Sequence, residues 1–211
     1  MNWGYKSAPQ TAFDGREVDY SRGKGLGGSS AINFAYYTIG PKEDYDEWAR
    51  IVGNDAYAWK AARKRINRME SYDRVRKPEY KKYNEPLEEN HGHDGPLPVS
   101  LPETWERSLT DAMDAYEEYG LKLNKDTNSG DPIGVGIIPS IATKGIRISA
   151  SGAYLKDVPD NLTILPDAQV ERIMLEGKRA IGVKLVGGAQ CRDLLSASRV
   201  LLTTLLCRHG N

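Results

Sequence analysis

Apolar residues recur at helical spacing through the middle of the chain and gather into short strand-like runs in its last third. Pro41 opens a predicted helix over Lys42 to Ile51, with Tyr45, Trp48 and Ala49 on one face and Gly53 as the stop. Proline is favoured in a first helical turn, and Glu43 and Asp44 suit the positive helix end. A second helix is predicted over Ala56 to Tyr72, where Trp59, Ala62, Ile66 and Met69 form the apolar stripe. Lys60, Arg63, Lys64, Arg65 and Arg68 then make a solvated basic face. Pro102 introduces a third helix, Glu103 to Tyr119, carrying Trp105, Leu109, Ala112, Met113 and Tyr116, with Gly120 as its C-cap. Ser149 to Leu155 reads as a short helix. Val170 to Leu175, the turn Glu176-Gly177-Lys178 and Arg179 to Val186 spell a β-hairpin. Leu162 to Leu165 and Val200 to Thr203 are further strand candidates, and a short strand is expected around Arg16 to Tyr20. Ala31 to Ile39 is apolar and fits either a helix or a strand. Lys77 to Leu101, rich in Pro, Gly, Asn and charge, reads as a long ordered loop with an extended piece at Leu97 to Val99. Leu121 to Ser149 reads as a second loop, punctuated by Gly130, Gly134, Gly136 and Gly145.

Composition narrows the function classes. The 211 residues suit one or two domains and leave enough apolar side chains for a core. Lys plus Arg equals Asp plus Glu at 29 each, so nothing in the charge balance asks for nucleic acid. Two cysteines, Cys191 and Cys207, exclude a disulfide-dense scaffold. The longest apolar run, Val200 to Leu206, is far too short for a membrane span. Met1 to Lys6 lacks the basic and apolar regions of a signal peptide. Tyr outnumbers Phe by 12 to 2, which implies half-buried rings with a polar tip.

The chemistry concentrates in one segment. Gly23, Gly25, Gly27 and Gly28 fall within Arg22-Gly23-Lys24-Gly25-Leu26-Gly27-Gly28-Ser29-Ser30-Ala31-Ile32-Asn33. The spacing matches G-x-G-x-x-G literally, yet that fingerprint needs a buried apolar strand before it, and Glu17-Val18-Asp19-Tyr20-Ser21-Arg22 is no such strand. Lys24 is not followed by Ser or Thr, so this is not a Walker A loop either. Two readings stay open on the residues alone. Successive glycines let a backbone approach a flat or anionic ligand, with the N–H groups of Gly27, Gly28, Ser29 and Ser30 aimed at phosphate oxygens and Asn33 adding an amide one turn later. Equally, the segment is a tight turn without a ligand.

The same string resembles the first signature of the glucose-methanol-choline (GMC) flavoprotein oxidoreductases. Asp46-Glu47-Trp48-Ala49 after Gly40-Pro41, and His91-Gly92-His93-Asp94-Gly95-Pro96-Leu97, resemble the next family segments in order. Gly145-Ile146-Arg147-Ile148-Ser149-Ala150-Ser151 with Ala153-Tyr154-Leu155, then Asn161-Leu162-Thr163 and Ala168-Gln169-Val170-Glu171-Arg172-Ile173, continue the series. The resemblance runs from about Trp3 to about Leu202. It implies an α+β or α/β fold: a partial FAD-binding domain of GMC type, with helices, short strands and a β-hairpin. It places Gly27, Gly28, Ser29 and Ser30 along FAD, with Ser29, Asn33 and the backbone of Phe34 and Ala35 in contact with it. Val170 would meet the adenine through its N–H and C=O. Some members tether FAD through a His at the position of Ile32, so binding here is expected to be non-covalent. The implied division is 1–55 and 150–211 as FAD-binding segments and 56–149 as helices and a lid leading to a substrate domain.

Two parts of the family pattern are missing. They are the G-x-G-x-x-G turn preceded by an apolar strand, and the His that takes the alcohol's proton while hydride goes to the flavin. His91, His93 and His209 do not occupy that position, and Thr204 to Asn211 departs from the family. His91-x-His93-Asp94 is a weak metal pair, with two ligands in a Gly/Pro loop. The expectation is a piece of an FAD-dependent alcohol oxidase or dehydrogenase that does not turn over alone. Its intact form takes a small alcohol and has neither a nucleic-acid partner nor a membrane span. The competing expectation is a non-catalytic module for binding or interaction.

Overall fold

The computed structural model describes residues 1–74, 77–102, 104–187 and 190–191. They divide into two compact units: residues 33–156, and residues 1–32 together with the chain from Asp157 onward.

The unit built from both ends of the sequence begins with a sparse antiparallel ribbon. Asn2 pairs with Gly23, Lys6 with Asp19 and Gln10 with Arg16. The ribbon reverses through a short 3-10 turn, Thr11–Phe13, and the left-handed pair Asp14 and Gly15. The stretch expected as a strand around Arg16 to Tyr20 is one side of this ribbon. Trp3 stacks on Tyr5 at 5.9 Å between centroids, Arg22 lies 3.8 Å over Tyr20, and Lys24 lies 4.8 Å over Trp3. The predicted hairpin is present in the same unit as β5 (Val170–Glu176) and β6 (Arg179–Leu185), with Gly177 left-handed in the turn; β7 (Gln190–Cys191) extends the sheet in the order β5-β6-β7. Leu162 to Leu165 is not a strand: Leu162 donates back to the Pro159 carbonyl at 2.9 Å, so the segment turns instead of pairing. Val200 to Thr203 lies outside the described residues.

The other unit holds α1 (Lys42–Val52), α2 (Trp59–Met69), β1 (Glu70–Asp73), β2 (Leu97–Ser100), α3 (Arg107–Glu118), β3 (Ala142–Thr143), β4 (Ile146–Arg147) and α4 (Ala150–Tyr154). α1 follows its sequence signals, with Pro41 at its N-cap, acids in the first turn and Gly53 left-handed at the C-cap. Of its predicted face, Ala49 is buried and Tyr45 half-buried, whereas Trp48 is exposed and stacks on Tyr57 at 5.3 Å. The helix predicted to run to Tyr72 stops at Met69. Glu70 to Asp73 leaves as β1 and pairs in parallel with β2 in the register Glu70↔Leu97 to Asp73↔Ser100. Arg63, expected on the solvated face, is buried. The third helix starts at Arg107, because Trp105 turns inward: its ring stacks on Tyr80 at 3.9 Å and its indole N–H donates to the Pro102 carbonyl at 2.9 Å. Glu103 lies outside the described residues.

One hydrophobic cluster joins Tyr83, Leu101, Trp105 and Met113, flanked by Tyr80, Leu123, Val135 and Ile137. Leu109, Ala112 and Tyr116 of the predicted α3 stripe are exposed beside it. Here the excess of Tyr has its use. Tyr83 packs in the cluster while its hydroxyl reaches Asp114 at 2.9 Å, and the Tyr45 hydroxyl donates to the Ile39 carbonyl at 2.8 Å. Of Ala31 to Ile39, Ala31 closes a 3-10 turn and residues 32–39 are neither a helix nor a regular strand. Tyr36 and Ser100 each bridge to Ser140, so this segment lies as an irregular edge beside the β2 end. Among the described residues no helix is long and apolar enough to cross a membrane.

Candidate functional site

In the first unit the glycine segment forms a tight loop. Gly25, Gly27 and Gly28 take φ values of 125°, 85° and 53°, a region that side chains with a Cβ rarely adopt. Gly23 and Gly28 touch so closely that a Cβ on Gly23 would lie 2.1 Å from the Gly28 carbonyl oxygen. Gly28 to Ala31 then form a 3-10 turn. The Ser29 hydroxyl accepts from the Gly23 N–H at 3.1 Å and clips the loop shut, while the Ser30 hydroxyl donates to the Gly27 carbonyl. Among the described residues, the N–H groups of Gly27 and Ser29 donate to no acceptor. Across the ribbon, Trp3 N–H is bonded to the Arg22 carbonyl, and the buried Trp3 indole Nε1 has no hydrogen-bond partner among the described residues.

Val170 opens β5, which lies at the edge of its sheet among the described residues. The Val186 N–H donates to the Gln169 carbonyl at 2.9 Å, and Val170 sits opposite Leu185. In an antiparallel pair, bonded and non-bonded positions alternate, so Val170 turns its own N–H and C=O away from β6.

Asn33, Phe34 and Ala35 lie in the second unit. Asn33 Oδ1 accepts the Ala35 N–H at 3.0 Å, a local turn that holds Ala35 at φ 59° and leaves the Phe34 ring 86% exposed. The Ala35 carbonyl accepts from Ile141 at 2.8 Å, so both backbone groups of Ala35 are engaged. Arg147 on β4 also grips Asn33: Nη1 donates to Oδ1 at 2.7 Å and Nη2 to the Asn33 carbonyl. Arg147 was part of a recognisable segment in the sequence, but nothing local to either residue showed that the two meet across 114 positions.

The sequence also gave no sign of a buried charged cluster in this unit. Glu70 is fully buried, with Arg63 Nη2 3.7 Å from its Oε1. His91 lies between two carboxylates, Nδ1 being 3.3 Å from Glu70 Oε1 and Nε2 3.2 Å from Asp126 Oδ1. Burial pulls the His91 pKa down, but the carboxylates of Asp126 and Glu70 outweigh it and hold the pKa above the usual histidine range. Burial likewise pushes Asp126 up. His91, the Asn90 amide and the Asn128 N–H more than reverse that, leaving it below the usual range. Asn128 carries the cluster to the chain after Ala35, accepting from the Ile39 N–H at 2.9 Å and donating to the Tyr37 carbonyl at 2.9 Å. The Tyr37 hydroxyl is pushed well above its ordinary pKa by burial first and then by Glu70. His93 pairs with Glu88 at 2.9 Å. His209 lies outside the described residues.

The structure superposes on an FAD-dependent oxidoreductase from Chaetomium thermophilum with a TM-score of 0.79 and 30% identity, covering 88% of this chain and 32% of that one. The fold is therefore that of part of a flavoprotein oxidoreductase's FAD-binding domain. A family model described as GMC oxidoreductase matches residues 6–204, and the chain belongs to the GMC oxidoreductase family. It is 34% identical over 206 residues to an oxygen-dependent choline dehydrogenase of Pseudomonas fluorescens, covering 95% of this chain and 34% of that protein. It is 32% identical over 188 residues to an alcohol dehydrogenase [acceptor] of Pseudomonas putida, covering 88% and 32%. The chain thus spans about a third of the length of the curated relatives it matches. Family and fold together imply a flavin cofactor.

Proposed function

We propose that this chain supplies FAD-facing segments of an enzyme that oxidises the CH–OH group of a small alcohol. The observation that carries the reading is the glycine loop, whose N–H groups at Gly27 and Ser29 are unspent at the head of a helical turn. That donor set fits an anionic pyrophosphate, because backbone N–H groups with no side chain between them and the ligand are what phosphate oxygens require. The buried indole N–H of Trp3, which has no partner among the described residues, is a further donor on the same ribbon.

The segment Gly27, Gly28, Ser29 and Ser30 would hold the pyrophosphate through the N–H groups of Gly27 and Ser29, since those of Gly28 and Ser30 donate to the Gly25 and Gly27 carbonyls; Asn33 and the backbone at Phe34 would meet the flavin, with the engaged backbone of Ala35 packing beside it, and Val170 the adenine. The outward N–H and C=O of Val170 suit an adenine edge, which offers one acceptor and one donor side by side. Ile32 has no atom that could bond a flavin, which supports non-covalent binding. FAD, when bound, accepts a hydride from the alcohol carbon. In this reading the described residues supply binding and not the proton acceptor: His91 is spent between two carboxylates, and His93 on Glu88. In this reading 1–55 and 150–211 carry cofactor contacts and 56–149 leads to substrate, a division by role. The relatives named for choline and alcohols support a small alcohol as substrate of the whole protein.

Titrating FAD with the purified 211-residue chain tests the reading. Flavin fluorescence should be quenched, visible flavin absorbance should co-elute with the protein, and acid precipitation should release all of the flavin. Anaerobic choline should not bleach the bound flavin. A chain that is folded by circular dichroism but neither quenches nor retains FAD would overturn the reading and leave an interaction module.

A further inference from the structure

Asn33 is an exposed residue whose side chain has a fixed orientation, and Arg147 fixes it. The Asn33 carboxamide oxygen accepts two hydrogen bonds, from Ala35 N–H at 3.0 Å and from Arg147 Nη1 at 2.7 Å. Arg147 Nη2 takes the Asn33 main-chain carbonyl as well, so the guanidinium fork holds side chain and backbone of one residue at once. An amide free to flip would present either its oxygen or its NH2 outward. With Oδ1 taken by two inward donors, Nδ2 is the group left facing solvent.

Arg147 itself is well placed for this. It sits on β4, in a two-strand turn whose reversal at Lys144 and Gly145 has positive φ at both positions, the pattern that matches strand twist. The base of that turn is tied to the Asn33 segment by Ile141 N–H to the Ala35 carbonyl and by Tyr37 N–H to the Pro139 carbonyl, both 2.8 Å. The guanidinium therefore approaches from a scaffold already in register with its target.

We propose that Arg147 is a positioning residue for the cofactor: by locking the Asn33 carboxamide it presents an NH2 donor, and not a carbonyl, to an electron-rich acceptor of the flavin ring. The inference rests on the FAD-facing role of Asn33 given above. It assigns Arg147 a part in binding without any contact between Arg147 and FAD.

The test is a double-mutant cycle in the full 211-residue chain, read as FAD dissociation constant by fluorescence quenching and as exchange of the Ala35 amide by NMR. Arg147→Gln should raise the dissociation constant about tenfold, the worth of one charge-assisted hydrogen bond. It should also speed Ala35 amide exchange in the FAD-free chain. Arg147 is exposed, so the fold should survive; Arg147→Lys, which keeps the charge but loses the fork, is the second variant and should restore only part of the affinity. Asn33→Ala should lower affinity to a similar degree, and the double variant should be no worse than Asn33→Ala alone. Asn33→Asp keeps both oxygen contacts but has no NH2, and should bind FAD as poorly as Asn33→Ala. Additive effects in the cycle, or an Asn33→Asp variant that binds FAD normally, would overturn the proposal while leaving the FAD reading intact. An unmutated chain that binds no FAD would overturn both.

Discussion

Glycines decide the geometry at several places outside the cofactor reading. A Cβ on Gly92 would lie 1.7 Å from the Asn67 carbonyl oxygen, and one on Gly95 would lie 2.3 Å from the Met69 carbonyl carbon. The His91-Gly92-His93-Asp94-Gly95 loop therefore packs bare backbone against the end of α2. The Gly92 N–H donates to the buried Glu70 carboxylate at 2.9 Å. Gly92→Ala should cost about 3 kcal/mol, the upper end for forced overpacking, because the obstacle is main chain and cannot swing away. Gly145 has open space around it and φ 73°, so Gly145→Ala should cost about 1–2 kcal/mol from backbone strain alone. Urea unfolding followed by tryptophan fluorescence should separate the two variants, and equal midpoints would contradict the argument. The resemblance named this loop correctly as a family segment. It did not say why its glycines are there, since the reason is the passage of a helix end more than twenty residues earlier.

Elements were legible where the signal is local. α1, with its proline, first-turn acids and closing glycine, and the β5–β6 hairpin, with alternation around Gly177, lie within a residue or two of where the pattern puts them. α2 fails at its end for a non-local reason. Its period continues smoothly through Tyr72, but Glu70 to Asp73 gains a parallel partner in β2, which no short-range pattern encodes. Arg63 is misread by the same logic: its position on the basic face is right, and its burial follows from Glu70 arriving beneath it. That packing makes stability depend on pH. Both ring nitrogens of His91 face carboxylate oxygens, so the imidazolium is the matching form. Its folded pKa is raised over the unfolded value of about 6.5. The stabilisation is thus fully present below about pH 6.5 and is lost as pH rises through the folded pKa. Asp126 has the opposite sign: its folded pKa is lowered, so its contribution is present above about pH 4 and is lost as pH falls through the folded value. Urea midpoints measured across pH should decline on both sides, and His91→Gln should flatten the alkaline limb. His91→Ala, which removes the cation between Glu70 and Asp126 but leaves each its other partners, should cost about 3 kcal/mol at neutral pH, the low end for breaking a buried pair.

The whole molecule is divided in a way that length could not reveal. One compact unit draws on residues 1–32 and the chain after Lys156, while the other is continuous, so the boundary does not follow chain order. Formal net charge at pH 7 is zero, and large apolar side chains stand far out of the core, with Phe34 86%, Ile133 74% and Ile51 68% exposed. A chain with no net repulsion and several exposed apolar side chains should associate. Dynamic light scattering is expected to show particle size rising with concentration near pH 7, with added salt failing to disperse the assemblies, because apolar contacts are not screened. Charge and apolar contact can be separated by one variant pair. Ile51→Lys together with Ile133→Glu removes two exposed apolar side chains and leaves the net charge at zero, since the added charges cancel. Lys at position 51 also suits the negative end of α1. The double variant should stay smaller than the unmutated chain at every concentration. If it associates equally, the exposed apolar residues are not the cause; if the unmutated chain stays monomeric throughout, the prediction fails outright.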